Sequence, residues 1–143
     1  IINIANKINR NMPNTSIEFI KSKIKNLNKK KILLLGLSYK EDVSDIRFSP
    51  SFKLIEFFKK NNIKYQVHDP YLSDINQKKL ISSMPNLKKF DLVIMCVGHR
   101  YYKKLNLKTF SNKPYYFDLN RVLEKNQINL MKKNNYKLEV LGG

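Results

Sequence analysis

Ile32-Leu33-Leu34-Leu35-Gly36 is an unbroken apolar run stopped by a glycine, and Asp91-Leu92-Val93-Ile94-Met95-Cys96-Val97-Gly98 repeats the pattern further along the chain. Runs this short and this uniformly apolar read as strands buried on both faces, which requires layers of helix above and below them. Helical signals supply those layers. Ile17, Ile20, Ile24 and Leu27 recur at helical spacing after Asn14-Thr15-Ser16, which predicts a helix over Ser16 to Asn26. Ser49 as cap and Pro50 in the first turn announce a second helix ending at Lys60, with Phe52, Ile55, Phe57 and Phe58 on its core side.

The remaining elements follow in alternation. Ile63 to His68 is a second strand turned by Asp69-Pro70, and Asp74 to Ser82 a weaker helix. After the strand of Asp91 to Gly98 come a short helix from Arg100 to Leu105, a strand at Tyr115 to Asp118, a helix from Val122 to Asn134 and a last strand from Leu138 to Gly142. This order predicts an α/β, Rossmann-like, doubly wound sheet of five or six mostly parallel strands with helices on both faces. Ligands of such sheets gather at the carboxyl ends of the strands. The loops that matter are therefore Leu37 to Ser49, Asp69 to Ser73, Gly98 to Tyr102 and Asp118 to Arg121.

Composition narrows the rest. The chain has 143 residues, 42% of them hydrophobic, enough for one cored domain. No apolar run approaches the roughly 20 residues that cross a bilayer. The opening Ile1-Ile2-Asn3-Ile4 lacks an initiator Met and the layout of a secretory signal, so the sequence reads as a piece of a longer chain. A single cysteine gives no sign of an oxidising compartment, and cytoplasm is the expectation. The net charge of +17 raises the question of a nucleic-acid or membrane partner. Yet all the basic residues except Arg10, Arg47, Arg100 and Arg121 are lysines, and they accompany abundant Asn and Ile. That texture suits solvated faces everywhere better than one recognition patch, where the forked Arg is favoured.

The first strand leads into Gly36-Leu37-Ser38-Tyr39-Lys40-Glu41, which lacks the G-x-G-x-x-G spacing that brings a helix N-terminus against a pyrophosphate. The loop instead sets Lys40 and Arg47 among Glu41, Asp42 and Asp45. Lys40 can meet a phosphate as a point charge, Arg47 can grip a second anion with two hydrogen bonds, and Tyr39 can line a pocket. Equally, the cations can pair with the acids and hold the loop together.

The run from Gly36 to Ser51, followed by Val67-His68-Asp69-Pro70-Tyr71, resembles the C-terminal domain of the UDP-glucose and UDP-N-acetylhexosamine 6-dehydrogenases. Asn9-Arg10-Asn11-Met12-Pro13 resembles the N-x-x-M-P segment near the end of that family's central helical region. The resemblance implies that residues 1–28 end that region and residues 29–143 form the UDP-sugar-binding domain. It further implies an enzyme that oxidises the sugar C6 alcohol to a carboxylate with NAD, through a cysteine nucleophile outside this chain, so that no catalytic residue lies within it. Tyr39 and Lys40 become nucleotide-sugar contacts, and Arg47 reaches toward NAD held mainly by another domain or subunit. Arg121 is a substrate contact, although Asp118-Leu119-Asn120-Arg121 departs from the family's usual wording there. A homodimer is implied as well, and the Val43-Ser44-Asp45 and His68-Asp69-Pro70-Tyr71 wording leans toward N-acetylhexosamine substrates.

Other conspicuous residues have plainer readings. Cys96 sits in a buried strand, where burial opposes a thiolate. His68 and His99 stand at strand ends and suit loop-fixing hydrogen bonds, with no third ligand for a metal. Tyr101-Tyr102 and Tyr115-Tyr116, with lysines nearby, imitate a base-stacking surface. The alternative function is accordingly a stand-alone Rossmann-like module that binds nucleic acid or another polyanion; a third is a structural domain serving dimer contacts.

Overall fold

The computed structural model describes residues 14–72, 80–81 and 83–142. Six strands form one sheet: β1 (Lys31–Leu35), β2 (Lys64–His68), β3 (Leu80–Ile81), β4 (Leu92–Met95), β5 (Tyr115–Asp118) and β6 (Leu138–Val140). Their order is β3-β2-β1-β4-β5-β6, and every pairing is parallel. The chain starts in the middle, winds outward on one side, returns to the centre and winds outward on the other, which is the doubly wound arrangement the alternation predicts.

Because successive side chains on a strand point to opposite faces, the uniformly apolar runs feed two separate cores. Ile32 and Leu34 of β1, Leu92 and Ile94 of β4 and Phe117 of β5 join Ile20, Leu54, Ile55 and Phe58 on one face. Leu33, Leu35, Val93, Met95 and Tyr116 join Tyr102, Phe110, Val122 and Met131 on the other. The first face is covered by a helix over 14–23, here α1, and by α2 (Ser51–Lys60). The second is covered by α3 (Arg100–Lys103) and α4 (Lys125–Lys133). Phe58 and Phe117 are 0% exposed. Each such side chain stabilises the fold by about 1.5–3 kcal/mol relative to exposure.

Several boundaries differ from the expectation. The first helix ends at 23 rather than Asn26, because Asn26 takes a left-handed conformation (φ 56°) that turns the chain into the 3-10 turn Leu27–Lys29. Ser49 lies one residue outside the N-cap Pro50, yet its Oγ still accepts from Ser51 N at 3.2 Å. The last helix starts at Lys125, since residues 122 and 123 are held in a loop by Asp118.

One element is of the wrong kind. Leu80 and Ile81, placed in a helix by the sequence reading, form the edge strand β3 against Val67 and His68. A two-residue strand carries no periodicity of its own, and only the open edge of β2 fixes it. The rest of that expected helix, and Asn9 to Pro13, lie outside the described residues.

Candidate functional site

Parallel strands deliver all their carboxyl ends to one edge, and four loops meet there. β1 ends at Gly36, whose φ of 101° suits a residue without Cβ; a Cβ would stand 2.6 Å from Val97 Cβ. This close approach lets the chain after β1 turn beside the chain after β4.

Asp69, just past β2, organises the edge. Fully buried, its Oδ2 accepts from Leu37 N (2.8 Å), Ser38 N (3.0 Å) and His99 Nε2 (3.0 Å), while Oδ1 accepts from Tyr71 N (2.9 Å). Burial pushes its carboxyl upward, but the His99 bond and the N–H groups of Leu37, Tyr71 and Ser38 outweigh it and hold the group below the ordinary carboxylate value. A second buried aspartate does the same work at the end of β5. Asp118 accepts from Asn120 N (3.2 Å) and Val122 N (2.9 Å) through Oδ1 and from Leu123 N (2.9 Å) through Oδ2. The tight loop it holds sets Arg121 at φ 50°, exposed, with its carbonyl accepting from Lys103 Nζ at 3.2 Å.

The long β1 loop carries the residues singled out in the sequence. Tyr39 is half-exposed and its N–H donates to the Asp45 carbonyl at 2.6 Å. Lys40 is exposed, with its carbonyl accepting from Ser38 Oγ at 3.0 Å. Arg47 lies against Asp45, donating from Nε to Oδ1 (3.1 Å) and from Nη2 to Oδ2 (2.9 Å). This side-chain pairing, joined by the Arg47 N–H, draws the Asp45 carboxyl down to about 2. The exposed Arg47 thus realises the loop-holding pair that spacing left open. Phe48 beside it is 93% exposed at φ 61°.

Asp42, also left-handed at φ 57°, ties this loop to the others. Its Oδ1 accepts from Arg100 N (2.9 Å) and Tyr71 OH (3.0 Å), and its Oδ2 lies 3.2 Å from Arg100 Nε. The Arg100 N–H leads the forces that lower its carboxyl, with burial opposing and the Tyr71 bond and the Arg100 charge assisting.

Both histidines are fully buried. His99 Nδ1 accepts from Asp42 N at 2.8 Å. Tyr102 OH lies 3.0 Å from His68 Nδ1 and donates to the His68 carbonyl at 2.9 Å. These are loop-fixing bonds, as the sequence suggested. No cluster of three or more metal-ligating side chains occurs among the described residues. Cys96 follows β4 rather than lying in it, and burial pushes its thiol up to about 12. Tyr102 and Tyr116 are 0% exposed, which removes two of the four tyrosines from any stacking surface.

The sequence reading missed Asp69, Asp118, Asp42 and Tyr71 as the framework of the site. Asp69-Pro70 was legible as a turn, but the donors it collects come from two other loops, and no local pattern reveals that.

A separate cleft of about 450 Å³ lies at the opposite, amino edge of the sheet, with Lys23, Lys25, Lys30, Lys113 and Lys137 around Asp91 and Tyr115. Asp91 is committed there, accepting from Lys31 N at 2.8 Å. The cleft is distant from the converging loops.

Fold and edge together define a doubly wound ligand-binding domain whose carboxyl edge presents positive side chains on a hydrogen-bonded aspartate frame. The description "UDP-glucose/GDP-mannose dehydrogenase family, UDP binding domain" matches residues 33–125. The chain belongs to this family and carries its UDP-binding domain. A UDP-N-acetyl-D-mannosamine dehydrogenase of Methanococcus vannielii is 30% identical over 99% of this chain and 34% of its own length. The solved UDP-N-acetyl-mannosamine dehydrogenase of Staphylococcus aureus is 28% identical, with a TM-score of 0.67 over 83% of this chain and 29% of that one. The UDP-D-ManNAc dehydrogenase structure from Pyrococcus horikoshii, 21% identical, shares the fold at a TM-score of 0.71 over 97% of this chain and 32% of its own. The chain thus spans about a third of the length of the relatives it matches.

Proposed function

We propose that this chain is the UDP-sugar-binding end of an NAD-dependent nucleotide-sugar 6-dehydrogenase, with residues 1–28 ending a central helical region and 29–143 forming the binding domain. The observation that carries this reading is the meeting of the β1, β2, β4 and β5 loops at one edge, leaving Tyr39, Lys40 and Arg121 exposed on a frame fixed by Asp69 and Asp118. Lys40 faces the diphosphate as a point charge, Tyr39 supplies a ring edge, and Arg121 is the second anion contact. The names of the relatives support a UDP-N-acetylhexosamine as the sugar.

The turn after β1 does not suit the pyrophosphate of NAD. Gly36 leads into Leu37-Ser38-Tyr39-Lys40-Glu41 without the G-x-G-x-x-G spacing of a pyrophosphate loop, and at the start of α2 beside it Ser51 Oγ donates to the Gly36 carbonyl at 3.0 Å. NAD and the nucleophile are therefore assigned to the rest of the enzyme, and catalysis is not a property of this chain. Arg47 is the residue proposed to reach that NAD, which requires it to leave Asp45. A homodimer completes the proposal.

The lysine cleft at the amino edge favours a second reading, a module for nucleic acid or another polyanion. Calorimetric titration with UDP and with single-stranded DNA at two salt concentrations separates them. A single diphosphate at the converging loops gives a shallow salt slope, whereas displacement of many counterions gives a steep one. UDP binding with a shallow slope supports the dehydrogenase reading; tight, steeply salt-dependent DNA binding without UDP binding replaces it.

A further inference from the structure

We infer that His99 is a positioning residue that sets the backbone around Lys40 for the nucleotide, an inference that rests on the UDP-binding reading above. His99 is 0% exposed and cannot touch a ligand. Its ring joins what the ligand would see. A ring nitrogen that accepts carries no proton, so the 2.8 Å bond from Asp42 N to Nδ1 places the hydrogen on Nε2. Nε2 then donates to the Asp69 carboxylate at 3.0 Å, with Ser38 Oγ also 3.0 Å away. Ser38 Oγ in turn donates to the Lys40 carbonyl.

Lys40 is therefore held from both sides. Ser38 fixes its carbonyl, and two residues on, His99 captures the N–H of Asp42, which stands in the left-handed region that a residue with a side chain seldom adopts. The rings of Tyr71 and Tyr102, with centroids 4.8 and 5.7 Å from that of His99, limit its rotation. A loop fixed before binding loses less freedom when the ligand arrives, so a lost Asp42–His99 bond reappears as weaker affinity.

The substitutions that test this differ in one atom position. In His99→Asn the amide oxygen overlies Nδ1 and still accepts from Asp42 N; in His99→Gln the side chain fills the space and can keep the donor toward Asp69, but has no acceptor at the Nδ1 position. UDP titrations of the 143-residue chain, with melting curves to confirm folding, compare both variants with Lys40→Ala and with Lys40→Ala/His99→Gln. The expected result is about tenfold weaker UDP binding for His99→Gln, recovery toward wild type for His99→Asn, and a double variant no weaker than Lys40→Ala alone. A merely space-filling histidine would lower the melting temperature without separating Gln from Asn. Wild-type affinity in His99→Gln beside a weakened Lys40→Ala overturns the inference alone. Wild-type affinity in Lys40→Ala overturns the ligand role of the loop, and this inference with it.

Discussion

Asp69→Ala tests the frame of the site without reference to any ligand. Alanine removes the acceptor for Leu37 N and Ser38 N, which lie 2.8 and 3.0 Å from Oδ2 in a buried position. Each orphaned buried donor costs about 1–3 kcal/mol. Tyr71 is 40% exposed, so its N–H can turn to water, and His99 keeps Ser38 within reach. Two orphans then give a loss of about 4 kcal/mol, a large share of the roughly 5–15 kcal/mol of a typical domain. Asp69→Asn keeps one oxygen; placed at Oδ2 it still serves three donors and abandons only Tyr71 N, for a loss of about 1 kcal/mol. Urea unfolding followed by circular dichroism reads both, as a fall in midpoint at unchanged slope. The pH dependence has a definite sign. The folded carboxyl titrates below its ordinary 3.8, so its stabilisation is complete above that value and is lost as pH falls through the lower folded value. The gap between wild type and Asp69→Asn should therefore narrow as pH drops from about 6 to below about 3. A loss under about 1 kcal/mol for Asp69→Ala, or a gap independent of acid, would refute the role given to this carboxylate.

Gly36→Ala should cost about 3 kcal/mol in the same assay, because it combines a φ of 101° with a Cβ forced to 2.6 Å from Val97 Cβ; a neutral result would mean that the ends of β1 and β4 do not meet as described. The Cys96 thiol, partly buried and pushed up to about 12, should resist a thiol-disulfide reagent at neutral pH until urea unfolds the chain, and rapid reaction in the folded state would contradict that upward shift. Arg47→Ala should leave the melting temperature and UDP affinity unchanged, since its pair with Asp45 is exposed, yet weaken NAD use in a complete enzyme; a change confined to UDP affinity would reassign the residue.

The fold was legible because its central strands are apolar on both faces: Leu33 and Leu34 point to different cores, and only a helix-covered parallel sheet needs that. β3 was not legible, since Leu80 and Ile81 are strand only by virtue of their neighbours Val67 and His68. The same division runs through the site. Lys40 and Arg47 were visible as cations in an acidic stretch, and Gly36 as a stop. Asp69 and His99 were visible only as a turn residue and a strand-end histidine. Their importance comes from bonds to Leu37, Ser38 and Asp42, partners that are adjacent in space but remote along the chain. Arg47 shows the converse: its local pairing with Asp45, two residues away, was among the readings that spacing alone allowed.

The central claim is that UDP binds where the loops meet at the carboxyl edge. Backbone amide shifts measured by NMR during a UDP titration test it most directly. Shifts should concentrate at Leu37 to Asp42, Tyr71, His99 to Arg100 and Leu119 to Arg121, leaving Lys25, Lys30 and Lys137 at the amino edge in place. Shifts confined to those lysines, or no saturable shifts at all, would contradict the account.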